Sequence, residues 1–241
     1  MGAVDAESRI AQLEERLAVL EERVGVLDDT EAIRRLQYVY GYYLDKTFYH
    51  EVVDLFAEDS EVRFLHGIFK GKAGVRRLYA GRFLEKFAEG RNGPAYGRLL
   101  DHPQMQGVIT VAPDRRTARA RFRAIMQAGT HQSIEARQRW EGVIYENEYV
   151  KEDGRWLFKL LNLRQIWHCT YEHGWAYVGL DYPDYITDTY PDDPHGPDEI
   201  DDSWHMYPDL RLFDYHYPHP ITGQWVTSDL GGPPDGQERA R

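Results

Sequence analysis

The stretch RLQYVYGYYLDKTFYHEVVDLF, residues 35–56, decides how this chain is read. Its apolar spacing is helical, yet within eight residues it sets Tyr38, Tyr40, Tyr42 and Tyr43 beside Asp45. A helix that only filled a core would use leucine or isoleucine there, because a buried phenol needs a hydrogen-bond partner and a buried carboxylate needs more. Tyr40 shares a face with Ile33 and Leu36 and so points inward, with Tyr43 on the edge of that face. Asp45 does not fall on it if the helix stays regular. The excess of polar tips points to a site.

Upstream, Ile10, Leu13, Leu17, Leu20, Val24 and Leu27 alternate spacings of three and four, the seam of a coiled coil. With Ile10 at heptad position a, Arg9 and Arg16 fall at g and Glu14 and Glu21 at e, where parallel partners pair them. Residues 1–29 are therefore expected to be an oligomerisation helix, and a homodimer or higher homo-oligomer follows. Asp28 with Glu31 reads as a capping box, so a new helix is expected near Thr30. Downstream, VDLFAEDSEVRFL passes from helix to strand and GKAGVRRLYAGRFLEKFAEG resumes a helical period. Long strands follow in MQGVITVAP, TARARFRAIMQAG, RQRWEGVIYENEYVKED and RWLFKLLNLRQIWHC, separated by turn signals that imply antiparallel neighbours. Helices followed by strands imply an α+β domain over residues 30–175. Residues 176–241, rich in Pro, Asp, Tyr and His, read as an irregular arm wrapped over a pocket mouth, its own or a neighbour's, with a disordered end.

A net charge of −11 with scattered arginines argues against nucleic acid or an anionic membrane surface as partner. One cysteine, Cys169, rules out an internal disulfide framework, and the acidic start has no apolar signal region, so a cytoplasmic location is the expectation. No Gly-rich nucleotide loop, nucleophile elbow or CxxC pair occurs, and the tail histidines meet no standard metal spacing, so neither a cofactor nor a metal is expected.

The phrase YYLDKTFYHEVVDLFAEDSEV, with LLDHPQMQ, WEGVIYENEYVKEDGRW and YEHGW, resembles the SnoaL-like branch of the NTF2-like superfamily over residues 30 to 175. The resemblance rests on Leu44, Asp45, Leu55, Phe56 and Asp59. It implies a cone, a curved antiparallel sheet packed on three helices, with a pocket between sheet and helices. In dehydratases of that superfamily a Tyr and an Asp five residues apart work beside a His from a later strand. Tyr40, Asp45 and His102 match that pattern and are the candidate catalytic residues.

Alternation supplies further candidates. His102, Gln104 and Gln106 fall on one strand face. In VIYENEYV, Val143, Tyr145, Asn147 and Tyr149 oppose Glu146 and Glu148, which are expected to face water. On the last strand Trp156, Phe158, Leu160, Asn162 and Arg164 share a face, and an inward Arg164 needs an anionic ligand or an acidic neighbour. Tyr43, Gln104, Tyr145, Asn147, Asn162 and Arg164 are the candidate substrate-binding residues. Arg119, Arg121 and Arg123 alternate onto a face expected to be solvated.

The pattern DH.Q.Q with YENEYV is similar to sphingomonad lyases that act on diarylpropane or phenylcoumaran compounds derived from lignin. That resemblance implies a cofactor-independent lyase releasing formaldehyde from a small phenolic aromatic. A dehydratase or isomerase of a polycyclic, steroid-like substrate, or a non-catalytic module binding a hydrophobic ligand, are the rival readings.

Overall fold

The computed structural model describes residues 2–177, 188–201, 203, 206–208 and 215–226. Helix α1 runs unbroken from Gly2 to Asp45, about 66 Å at the usual rise per residue. The helix start expected near Thr30 is therefore corrected. No glycine or proline interrupts residues 26–40, and the Thr30 hydroxyl donates back to the Val26 carbonyl at 2.8 Å instead of capping. The neighbouring Asp29 faces the domain. Its side chain is buried and accepts from Arg115 Nε (2.7 Å), Lys151 Nζ (2.6 Å) and Trp156 Nε1 (2.9 Å). The expected boundary at residue 29 thus lies inside a helix, exposed on all sides through Val24 and covered on one side by the domain from Gly25 onward.

Helix α2 (Tyr49–Asp54) leads into β1 (Phe56–Phe64) and β2 (Gly67–Lys70). A second helical stretch follows as α3 (Gly71–Arg76), a π-helical segment Arg77–Phe83, and α4 (Leu84–Ala88), ended by Glu89 in the left-handed region. Then come β3 (Arg98–Asp101), β4 (Gln104–Val111), β5 (Thr117–Thr130), β6 (Arg137–Glu152), β7 (Arg155–Thr170) and, in the arm, β8 (Glu199–Ile200). The sheet order is β3-β5-β6-β7-β1-β2-β8, with β4 also on β5. All pairs are antiparallel except β1 with β7, so the four long strands pair as expected and the one parallel pair makes the sheet as a whole mixed. The tight hairpin β6–β7 sets the direction of β7, and the intervening helices supply the crossover a parallel pair requires. None of the helices described is long and apolar enough to cross a membrane.

The core joins α1 to the concave face through aromatic rings. Tyr40 meets Phe158 edge-on (centroids 5.5 Å), and Phe158 stacks on Phe56 (5.0 Å). Gly41 allows this approach: a Cβ there would lie 2.8 Å from Gln104 Cγ on β4. Of the tyrosines that drew attention, Tyr42 is exposed and Tyr38 only edges Phe122, so two of the four belong to the outside.

Two strand irregularities overturn alternation-based expectations. Between Phe158 and Leu160, β7 carries an extra residue, Lys159, against the Glu148–Tyr149 step of β6. A bulge of this kind exchanges the faces. Trp156 and Phe158 point into the core, but beyond the bulge Leu161, Leu163 and Gln165 do, and Asn162 and Arg164 turn to the other side. In β4, Gln106 sits at φ 52° within a register shift, so it is exposed and does not continue the face of Gln104.

The described arm segments pack on helix and sheet. Arg77 binds Asp198 (2.6 Å) and lies over the Tyr190 ring (4.5 Å), Arg82 binds Asp193, and β8 extends the sheet beyond β2. Arg121, expected in water, is mostly covered: it pairs with Glu146 and lies 4.1 Å from the Tyr215 ring centroid. Glu146, also expected in water, accepts from His216 Nδ1 at 2.6 Å as well.

Candidate active site

A cavity of about 880 Å³ opens between the end of α1, the stretch 82–87, the loop before β3, and the concave faces of β5, β6 and β7. That size suits a small organic ligand. Among the described residues, none beyond Glu172 lines it, so the expectation that the arm covers this mouth is met by none of the described arm segments. Residues 178–187 lie outside the described residues.

Asp45 and His102 meet at the inner wall. Asp45 is the last residue of α1, and its carboxylate projects past the helix end toward the break between β3 and β4. This is how a residue off the inward face still reaches the pocket. Asp45 Oδ1 lies 2.7 Å from His102 Nδ1 and Oδ2 accepts the His102 backbone N–H at 3.0 Å. Both side chains are 9% exposed. With Nδ1 engaged, Nε2 is the ring nitrogen left to exchange a proton with a ligand.

Tyr40 and Tyr145 line the same cavity. The Tyr40 hydroxyl is 3.0 Å from that of Tyr79, on the π-helical segment. Burial, reinforced by Tyr79, pushes the Tyr40 phenol well above the ordinary tyrosine range, and burial does the same to Tyr145, with Tyr40 adding to it. Both phenols are held neutral, as hydrogen-bond donors or acids. The buried Tyr145 oxygen has no hydrogen-bond partner of good geometry among the described residues.

Glu141 is a residue that the sequence reading missed. It lines the cavity on β6, and burial pushes its carboxyl above the usual range, opposed by nearby His102 and Arg139 and by Gln165. The signal was present: Glu141 alternates with Val143 and Tyr145. Tyr79 and Gln37, both fully buried, were also missed. Gln37 accepts from Tyr149 Oη (2.8 Å) and Asn147 Nδ2 (3.0 Å) and donates to Gln104 Oε1 (2.8 Å).

Tyr40, Asp45, His102 and Tyr145 are thus brought together, whereas the other five candidates lie outside the cavity lining. Tyr43 packs edge-on against Phe48. Gln104 donates to the His102 carbonyl at 2.9 Å and so braces His102 from behind. Asn147 is consumed in the core by Gln37 and by the Asn162 backbone N–H (3.0 Å). Asn162 and Arg164 face away beyond the bulge, and the acidic neighbour of Arg164 is Asp201, at 3.5 Å. Desolvation lowers the Arg164 guanidinium from its ordinary value, opposed by Asp201.

A comparison with curated proteins yields no significant match. Among solved structures, a protein of Novosphingobium aromaticivorans DSM 12444 provisionally designated a scytalone dehydratase superposes with a TM-score of 0.50 at 23% identity, covering 62% of this chain and 91% of that one. LinA superposes with a TM-score of 0.50 at 15% identity, covering 62% and 93%. At these identities the likeness is one of fold. The model of the SnoaL-like domain matches residues 25–162, more than half of the chain and the segment that supplies most of the cavity lining. The chain belongs to the SnoaL-like domain family.

Proposed function

We propose that the chain is a cofactor-independent lyase that acts on a small phenolic aromatic molecule by acid–base elimination. The observation that carries this reading is the Asp45–His102 pair at the wall of a cavity that also holds Tyr40, Tyr145 and Glu141, three groups biased toward their protonated forms. An elimination needs a base at one position and an acid at the leaving group, and groups pushed apart in proton affinity divide those roles. His102 Nε2 takes or returns the proton while Asp45 fixes the ring and balances its charge. A neutral phenol or the Glu141 carboxyl serves the leaving hydroxyl.

The finer reading is a phenolic diarylpropane diol. Loss of the phenolic proton and of the benzylic hydroxyl, protonated as it leaves, gives water and a quinone methide. His102 then removes the proton of the terminal hydroxyl, the bond to that carbon breaks, and formaldehyde departs. The electron pair restores the aromatic ring, which regains its proton as a stilbene. The substrate's own ring is the electron sink, so the sequence balances without an added oxidant or reductant. The test is incubation with phenolic diaryl diols, reading stilbene absorbance and trapped formaldehyde in equal amounts. Water loss without formaldehyde reassigns the protein to the dehydratases. Ligand binding with no product sinks the enzyme reading.

A further inference from the structure

Every residue of α1 from Ala6 to Arg23 is exposed, as is Val24. Its apolar seam stands in solvent in the single chain: Ile10, Leu13, Leu17, Leu20, Val24 and Leu27 are between 51% and 68% exposed. An isolated amphipathic helix of this length is marginal, because its stability comes from covering its apolar stripe. None of the described residues of the chain's own domain covers it. The domain grips the helix where Arg115, on the β4–β5 turn, lies against Gly25, bonds Asp29, and approaches Glu22 at 3.9 Å. With Ile10 at heptad position a, Gly25 is a b position and Glu22 and Asp29 are f positions, on the side away from the seam. The a and d positions Val24 and Leu27 stay open beside the domain, so no described residue of the chain covers the seam along its length.

We propose that this seam is the site of a second copy of the same chain, joined as a parallel two-stranded coiled coil over residues 6–28. The charges choose both partner and direction. Positions g hold Arg9, Arg16 and Arg23, and positions e hold Glu14, Glu21 and Asp28. In a parallel pair each g residue faces the e residue five places further along the other helix, so Arg9 meets Glu14, Arg16 meets Glu21 and Arg23 meets Asp28 of the second copy. An antiparallel pair sets arginine against arginine and acid against acid. The seam chooses the number of strands: leucine occupies all three d positions, and two of three a positions are β-branched, Ile10 and Val24, the combination that favours two helices. The seam stops where it should. The next a and d positions are Glu31 and Arg34, and from Ile33 onward the apolar face turns into the domain core. The pairing places two domains side by side at one end of the coil, each with its own cavity.

The test is the solution mass of the full-length protein at micromolar concentration, by sedimentation equilibrium, beside two variant sets. The wild type is expected to have the mass of two chains, and Leu13→Asp with Leu20→Asp that of one, with the domain's thermal transition retained. The second set touches no apolar position: Arg9→Glu, Arg16→Glu and Arg23→Glu in one chain, and Glu14→Arg, Glu21→Arg and Asp28→Arg in another. Each alone is expected to dissociate, and the two mixed are expected to form a heterodimer. A wild-type mass of one or three chains overturns the proposal. So does a two-chain mass that neither variant set changes.

Discussion

Asp45 holds His102 at two points, the ring Nδ1 at 2.7 Å and the backbone N–H at 3.0 Å, so one carboxylate sets both the tautomer and the position of the imidazole. Asp45→Asn turns an acceptor into an amide that can donate to Nδ1, which favours the wrong tautomer. Turnover is expected to fall roughly 10²- to 10⁴-fold, with KM little changed. Steady-state kinetics on the diol substrate check this.

Tyr40 and Tyr145 separate stability from activity. Tyr40→Phe strands the Tyr79 hydroxyl and is expected to cost about 1 kcal/mol by urea unfolding. Tyr145→Phe removes an oxygen that has no well-formed bond to any described residue, so it is expected to leave stability unchanged or raise it. Both are expected to lower turnover, by about 10² if the phenol stabilises developing charge.

Glu141 gives a pH signature. Burial holds its folded-state proton affinity above that of the unfolded chain, so the folded protein retains a proton that the unfolded chain releases. The associated stability is complete below the unfolded value and declines as pH rises toward the folded one. Glu141→Gln removes this penalty. The variant is expected to melt higher than wild type at about pH 7, with the gap closing by about pH 4.

Asp29 behaves in the opposite sense. Burial works against its charge, but hydrogen bonds from Lys151, Trp156 and Arg115 outweigh it and hold the carboxyl below the usual range. Its contribution is present above the unfolded value and lost as pH falls through the folded one. Asp29→Ala is expected to cost about 2 kcal/mol near neutrality, and less in acid, by denaturant titration.

Much of this was legible in the chain, and what was not has identifiable causes. Tyr40 could be placed inward by period alone, whereas Asp45 could not, because it acts from a helix end and not from a helix face. Glu141 was readable from the alternation of Val143 and Tyr145. Asn162 and Arg164 were not, since the single extra residue at Lys159 reverses the faces without any glycine or proline to announce it. Asn147 was correctly turned inward, but its partner Gln37 lies 110 residues away, beyond the reach of local pattern. The parallel β1–β7 pairing likewise depends on how distant segments meet.

In the proposed elimination His102 moves the proton. The direct measurement is turnover of a phenolic diaryl diol, followed as stilbene and formaldehyde, by wild type, His102→Ala and His102→Gln, each verified as folded by its thermal transition. Both variants are expected to lose roughly 10²- to 10⁴-fold, since an amide cannot shuttle a proton and so does not rescue the imidazole. Near-normal turnover by both variants would contradict the claim and leave His102 a structural residue.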